Sequence, residues 1–143
     1  MNKIKSEEVP DWYPVCIKSD CPMAEHCLHQ LAMRLLTDDY KIVRIVNPLL
    51  TQPSEKCEFY RTDELQSYAR GFKQMQMDML PRQYSSFMYR LIGQFGRTGY
   101  FERRRGERLC SPKEIKLIED VLKELGLKDL SFDAYEKRYN WDD

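Results

Sequence analysis

Tyr84, Phe87, Met88, Leu91, Ile92 and Phe95 recur at i, i+3, i+4, i+7, i+8 and i+11, a spacing that only an α-helix gathers onto one face. A stripe this continuous has to be buried against other apolar surface, so it commits the chain to a helical core. It predicts a helix over Tyr84–Phe95 with Gly96 as a left-handed stop. A second strong signal follows: Ser111-Pro112-Lys113-Glu114 supplies an N-cap, a first-turn proline and the glutamate of a capping box. Ile115, Ile118, Val121, Leu122 and Leu125 then form an apolar face before Gly126.

Around these two helices the remaining elements are weaker. Pro22 can occupy a first helical turn, with Ala24, Leu28, Leu31 and Leu35 as its stripe and an end near Leu36. Tyr40 to Val46 is rich in β-branched residues and predicts a strand, stopped by Asn47-Pro48. The longest unpatterned stretch runs from about Asn47 to Lys56. Thr62 or Asp63 can cap a helix carrying Leu65, Tyr68, Phe72, Met75 and Met79 through Gly71, ended by Pro81. Ser131 can cap a short last helix with Phe132, Tyr135 and Tyr139 on one side, before Trp141. The expectation is a mainly α fold, α+β at most: a single domain over 1–143 of about five helices with one or two short strands. Within it, 1–60 form a cysteine-bearing N-terminal lobe and 61–143 a helical lobe.

At 143 residues one ordinary core suffices, and 42% hydrophobic against 32% charged residues excludes a disordered chain. No run approaches the length of a membrane span, and Met1 to Glu8 has no apolar stretch to serve as a signal-peptide core. A cytoplasmic protein with no membrane partner is expected. In that compartment five cysteines are thiols or metal ligands rather than disulfides.

Four of them, Cys16, Cys21, Cys27 and Cys57, have the form C-x4-C-x5-C-x29-C, with Cys110 left over. Four thiolates can hold zinc tetrahedrally and supply folding energy directly. The spacing matches neither common ferredoxin pattern. Cys21 and Cys27 are expected near the start of the first helix, where free amide hydrogens favour thiolate. His26 and His29 widen the choice, since either could replace one cysteine. The bland counterpart is a solvent-facing His26 and cysteines acting as small core hydrophobes. No nucleophile turn or orienting third group marks a catalytic Cys/His pair, and an enzyme is the least supported class.

The formal net charge is zero, which argues against a generic polyanion binder, but the zero is uneven. Residues 1–60 carry 7 bases and 9 acids, 61–110 carry 10 and 5, and 111–143 carry 6 and 9. Nine of the ten central bases are arginine, whose planar donor fork suits phosphates and base edges. In the stretch from Gly93 to Arg108 a helix ends at Gly96, Thr98 can cap a short new helix, and Arg103, Arg104 and Arg105 follow. That is the layout of a helix-turn-helix, with Arg97, Arg103, Arg104, Arg105 and Arg108 facing phosphate or bases. A β-hairpin is the competing local reading, with Phe101, Arg103 and Arg105 alternating against Glu102, Arg104 and Gly106. Internal pairing of these arginines with Glu102, Glu107 and the acidic terminal segment is the third.

Cys16, Cys21-Pro22, Cys27-Leu28, Val46-Asn47-Pro48, Cys57, Phe59-Tyr60, Gly71-Phe72, Phe95-Gly96-Arg97, Tyr100-Phe101, Arg105-Gly106-Glu107-Arg108, Ser111-Pro112 and Phe132 to Trp141 together form a pattern. It resembles a family of small bacterial proteins known only as a domain of unknown function. The resemblance spans nearly the whole chain and implies no activity. Separately, Tyr84 to Leu125 is similar in layout to the helix-turn-helix of phage-repressor-like regulators, which implies DNA as a partner. The function expected from the residues is nucleic-acid binding with a regulatory role and a structural zinc site. The alternative is a protein–protein interaction module without nucleic acid.

Overall fold

The computed structural model describes residues 4–51 and 57–143. The chain forms two compact units, one made of Met1–Glu64 with Tyr139–Trp141 and the other of Leu65–Arg138 with Asp142–Asp143. Among the described residues there are four α-helices, two single 3-10 turns and one two-stranded antiparallel sheet. The fold is thus mixed α+β with helix predominating.

The first unit is mostly irregular. Its one α-helix, α1 (Leu28–Arg34), is shorter than the stripe from Pro22 predicts, and Ala24–His26 forms a separate 3-10 turn. Cys21 and Pro22 therefore lie outside the helix, while Cys27 is the residue just before it. The strand expected over Tyr40 to Val46 is also corrected. This stretch makes a single parallel bridge, Val15 to Ile45, with Val15 N–H donating to the Arg44 carbonyl at 2.9 Å and Val46 N–H to the Val15 carbonyl at 2.9 Å. Part of the unpatterned stretch from Asn47 to Lys56 lies outside the described residues. The small core of this unit is Tyr13, Val15, Leu28 and Ala32, with Ile4, Val9, Leu31 and Trp141 packed round it.

The second unit holds the larger core. Its strands are β1 (Gln66–Arg70) and β2 (Ala134–Arg138), paired from Gln66 opposite Arg138 to Arg70 opposite Ala134. Both had been expected as helix. The apolar spacing of Leu65 to Met79 is cut at Gly71, whose φ of 77° interrupts any helix there. After it comes only the five-residue α2 (Lys73–Met77). The Asp133 carboxylate accepts from the amides of Lys73 (2.9 Å) and Gln74 (3.1 Å), and thus supplies the cap that the sequence around Phe72 lacks. On its other side β1 meets Cys110, with reciprocal amide–carbonyl bonds between Ala69 and Cys110 of 3.1 and 2.8 Å.

The helix predicted over Tyr84–Phe95 starts earlier, with Pro81 opening it rather than closing its predecessor, and it breaks at Gly96 as expected; α3 (Pro81–Arg104) is this stretch together with a second helical stretch beyond the break. Gly96 is the one non-helical residue inside, at φ 76° and ψ 165°. At about 100° per residue, an unbroken helix would turn Tyr100 roughly 180° away from Leu91. Both are fully buried, so the break at Gly96 is what brings the second half of α3 back onto the core. The hairpin reading of Phe101 to Gly106 is overturned, because Phe101 to Arg104 are helical. The last helix, α4 (Pro112–Glu124), follows its sequence signal closely: Ser111 Oγ accepts from the Glu114 amide at 3.3 Å, and Glu114 Oε1 accepts from the Ser111 amide at 3.1 Å. Phe72, Met75, Phe87, Leu91, Tyr100, Ile118, Leu122 and Phe132 fill the space between these elements.

Candidate functional site

Cys16, Cys21, Cys27 and Cys57 all line one small pocket in the first unit, together with His29, Gln30, Val46, Thr51, Phe59 and Tyr60. Cys16 and Cys27 are buried, and Cys21 and Cys57 are partly so. Local hydrogen bonds hold the segments in place. The Cys16 amide donates to the His29 carbonyl (3.0 Å), the Leu28 amide to the Arg61 carbonyl (2.8 Å), and Cys27 forms a bridge with Thr62. Gln30 Nε2 donates to the Lys18 carbonyl, which ties the loop between Cys16 and Cys21 to α1. All four cysteine sulfurs are free thiols, and among the described residues no three His, Cys, Asp or Glu side chains already stand in an arrangement that holds a metal ion.

The two histidines differ. His26 is exposed, its Nδ1 3.3 Å from Asp63 Oδ2, and is not part of the pocket. His29 is buried, and its ring is stacked on Tyr13 at 4.6 Å between centroids and 11° between planes. Its Nδ1 lies 2.8 Å from the Pro14 carbonyl oxygen. Burial holds the His29 imidazole below its usual pKa, so it is held neutral more strongly than a free histidine. Trp141 and Tyr13 meet edge to face at 4.8 Å between centroids, and burial pushes the Tyr13 phenol well above its ordinary value. Spacing on a single sequence does not separate His26 from His29. The signal that could have done so is the apolar neighbourhood of His29, which lies beside Leu28 and three residues before Ala32. Phe59 and Tyr60, the aromatic wall of the pocket, were visible only as a pair after Cys57.

Cys110 is apart from this group, in the core of the second unit, where burial pushes its thiol up to about 12.

The five arginines do not share one environment. Arg103 is 5% exposed: it donates to Glu114 Oε2 (2.6 Å) and to the Gly99 carbonyl (3.0 Å), and its guanidinium lies 4.1 Å from the centre of the Phe95 ring. Arg104 is half-buried, with a buried Nε that has no hydrogen-bond partner among the described residues. Arg105 is on the surface in an ion pair with Glu107 at 2.9 Å. Arg97 and Arg108 are exposed. Consecutive residues on a helix point about 100° apart, so Arg103, Arg104 and Arg105 could not all face one ligand from helical backbone.

No helix among the described residues is long and apolar enough to cross a membrane. A family model described as a family of unknown function, DUF6078, matches residues 1–141. No curated protein and no solved structure matches the chain.

Proposed function

Because the chain belongs to this family of unknown function, we propose its role from its own side chains: a binding protein whose first unit is organised round a zinc ion held by Cys16, Cys21, Cys27 and Cys57. One observation carries this reading, the gathering of four cysteines from separate stretches onto one pocket while the fifth stays in the other unit's core. A first unit with so small an apolar core has little else to fold on, and a thiolate-held ion contributes folding energy outright. Thiolate ligands fit a reducing compartment such as the cytoplasm.

The test is metal analysis of full-length protein purified without added metal, with thiol counting before and after chelation. Stoichiometric zinc, with pocket thiols whose reactivity rises when a chelator is added, is the expected result. Metal-free protein whose partly exposed thiols react at once would reject it.

For the partner, the arginine chemistry favours a protein over a polyanion. Arg103 is spent inside the second unit and Arg105 is neutralised by Glu107. In the first unit Ile42 and Leu49 are each 90% exposed, and Leu50 and Ile45 are exposed as well. Nucleic acid remains the second reading, supported by exposed Arg97 and Arg108 and by the half-buried Arg104. Titration with duplex DNA and single-stranded RNA at low salt separates the two. Binding that weakens steeply with salt and falls in Arg97→Ala and Arg108→Ala would restore the polyanion reading.

A further inference from the structure

We infer that His29 is itself a ligand in the thiol pocket, binding the ion through Nε2, so that the ion is held by three thiolates and one imidazole. This rests on the metal reading above and deepens it. A carbonyl oxygen can only accept, so the 2.8 Å contact with Pro14 puts the proton on Nδ1 and leaves the lone pair on Nε2. Nε2 makes no hydrogen bond among the described residues and keeps some solvent contact, in a residue that lines the pocket. The ring has little freedom to seek one, because it is stacked on Tyr13 and tied by the Nδ1 bond.

An imidazole with one nitrogen fixed by a main-chain carbonyl, the other bare, and its plane clamped is the arrangement that metal-bound histidines use. The His29 carbonyl also receives the Cys16 amide, which fixes the backbone of a buried thiol beside it. Cys27, two residues before His29, is the second buried thiol. One of the two partly buried thiols, Cys21 or Cys57, completes the set, and the other stays free. A pocket with one free thiol next to a bound ion differs chemically from a closed four-thiolate site, since that thiol keeps its reactivity while the ion is in place.

Cobalt(II), loaded into the full-length protein in place of zinc, reads the ligand set directly. The sulfur-to-cobalt charge-transfer intensity counts thiolates, and the visible bands shift between four sulfurs and three sulfurs with one nitrogen. The expected result is a three-thiolate spectrum, one alkylatable thiol at Cys21 or Cys57 in the zinc-loaded chain, and a metal-shifted ¹⁵N resonance for His29 Nε2. His29→Gln should lose affinity by about 100-fold or more, beyond the 10–100-fold typical of removing an outer hydrogen-bond partner. Should that variant misfold, the wild-type spectrum and thiol count decide alone. A four-thiolate spectrum with all four pocket thiols protected would overturn the role of His29 and leave the zinc reading intact. Failure of both metals to bind would remove both.

Discussion

Arg103 shows how a residue's chemistry can be read from sequence while its destination cannot. Three arginines in a row announce positive charge, and the planar fork announces a carboxylate, phosphate or aromatic partner. The partner turned out to be Glu114, the capping-box glutamate of α4, with the Phe95 ring beneath. Had the run been assigned to continuous helix, the turn of about 100° per residue would have excluded a shared face. Removing one member of a buried pair strands the other, so Arg103→Met should cost about 2–4 kcal/mol in chemical denaturation, with Arg103→Lys recovering less than half. Arg105→Ala, which breaks an exposed, solvent-screened pair, should leave the denaturation midpoint essentially unchanged. The buried titratable groups of the same unit set an alkaline limit. Burial holds the Cys110 thiol and the Tyr100 phenol up at about 12, against ordinary values of 9.0 and 10.0. Both folded values are raised, so their contribution is complete below pH 9.0 and is lost as pH rises toward 12. Helix-monitored unfolding across that window should show the decline, and Cys110→Ala should shift its onset upward.

At the scale of elements, success and failure have distinct physical causes. The capped helix was legible end to end because Ser111, Pro112 and Glu114 act on one another across three residues, and α4 begins where they say. Ser111→Ala should lower stability by about 1 kcal/mol, with a further loss because its hydroxyl also donates to Asp143 Oδ1 at 3.0 Å. The two strands were missed for the opposite reason. Gln66–Arg70 and Ala134–Arg138 are sixty-odd residues apart, and each is a strand only because the other lies beside it. Their aromatic spacing satisfies a helical template equally well on paper. Gly96 has the positive φ its sequence position announces, and the first helical stretch does stop there. It is also a joint, after which α3 resumes in a new phase. Gly96→Ala meets no neighbour within 4 Å, so its cost is conformational alone, about 1–3 kcal/mol at a φ of 76°. A loss well beyond that range would mean that the helix had straightened and withdrawn Tyr100 from the core.

Over the whole molecule, both tryptophans, Trp12 and Trp141, belong to the first unit, whereas α3 and α4 belong to the second. The protein therefore carries a separate optical reporter for each. If a zinc ion organises the first unit, a chelator should lower the tryptophan-detected midpoint by several degrees and leave the helical ellipticity of α3 and α4 largely unmoved. Equal displacement of both signals would contradict a metal confined to the thiol pocket. The cysteines of that pocket were legible as a cluster because three lie within twelve residues. Its walls were not, since Val46, Thr51, Phe59 and Tyr60 reach it through irregular backbone that no periodicity encodes.

The placement of Trp141 also bears on the order in which the chain becomes native during synthesis. Residues 4–51 leave a ribosome first, but Trp141 packs on the core of their unit, against Tyr13. The second unit draws on residues almost as late, since β1 pairs with β2 up to Arg138 and Tyr68 donates to Asp142. Both units therefore take residues from beyond Phe132, and neither has its full set of native contacts while the chain stops short of them.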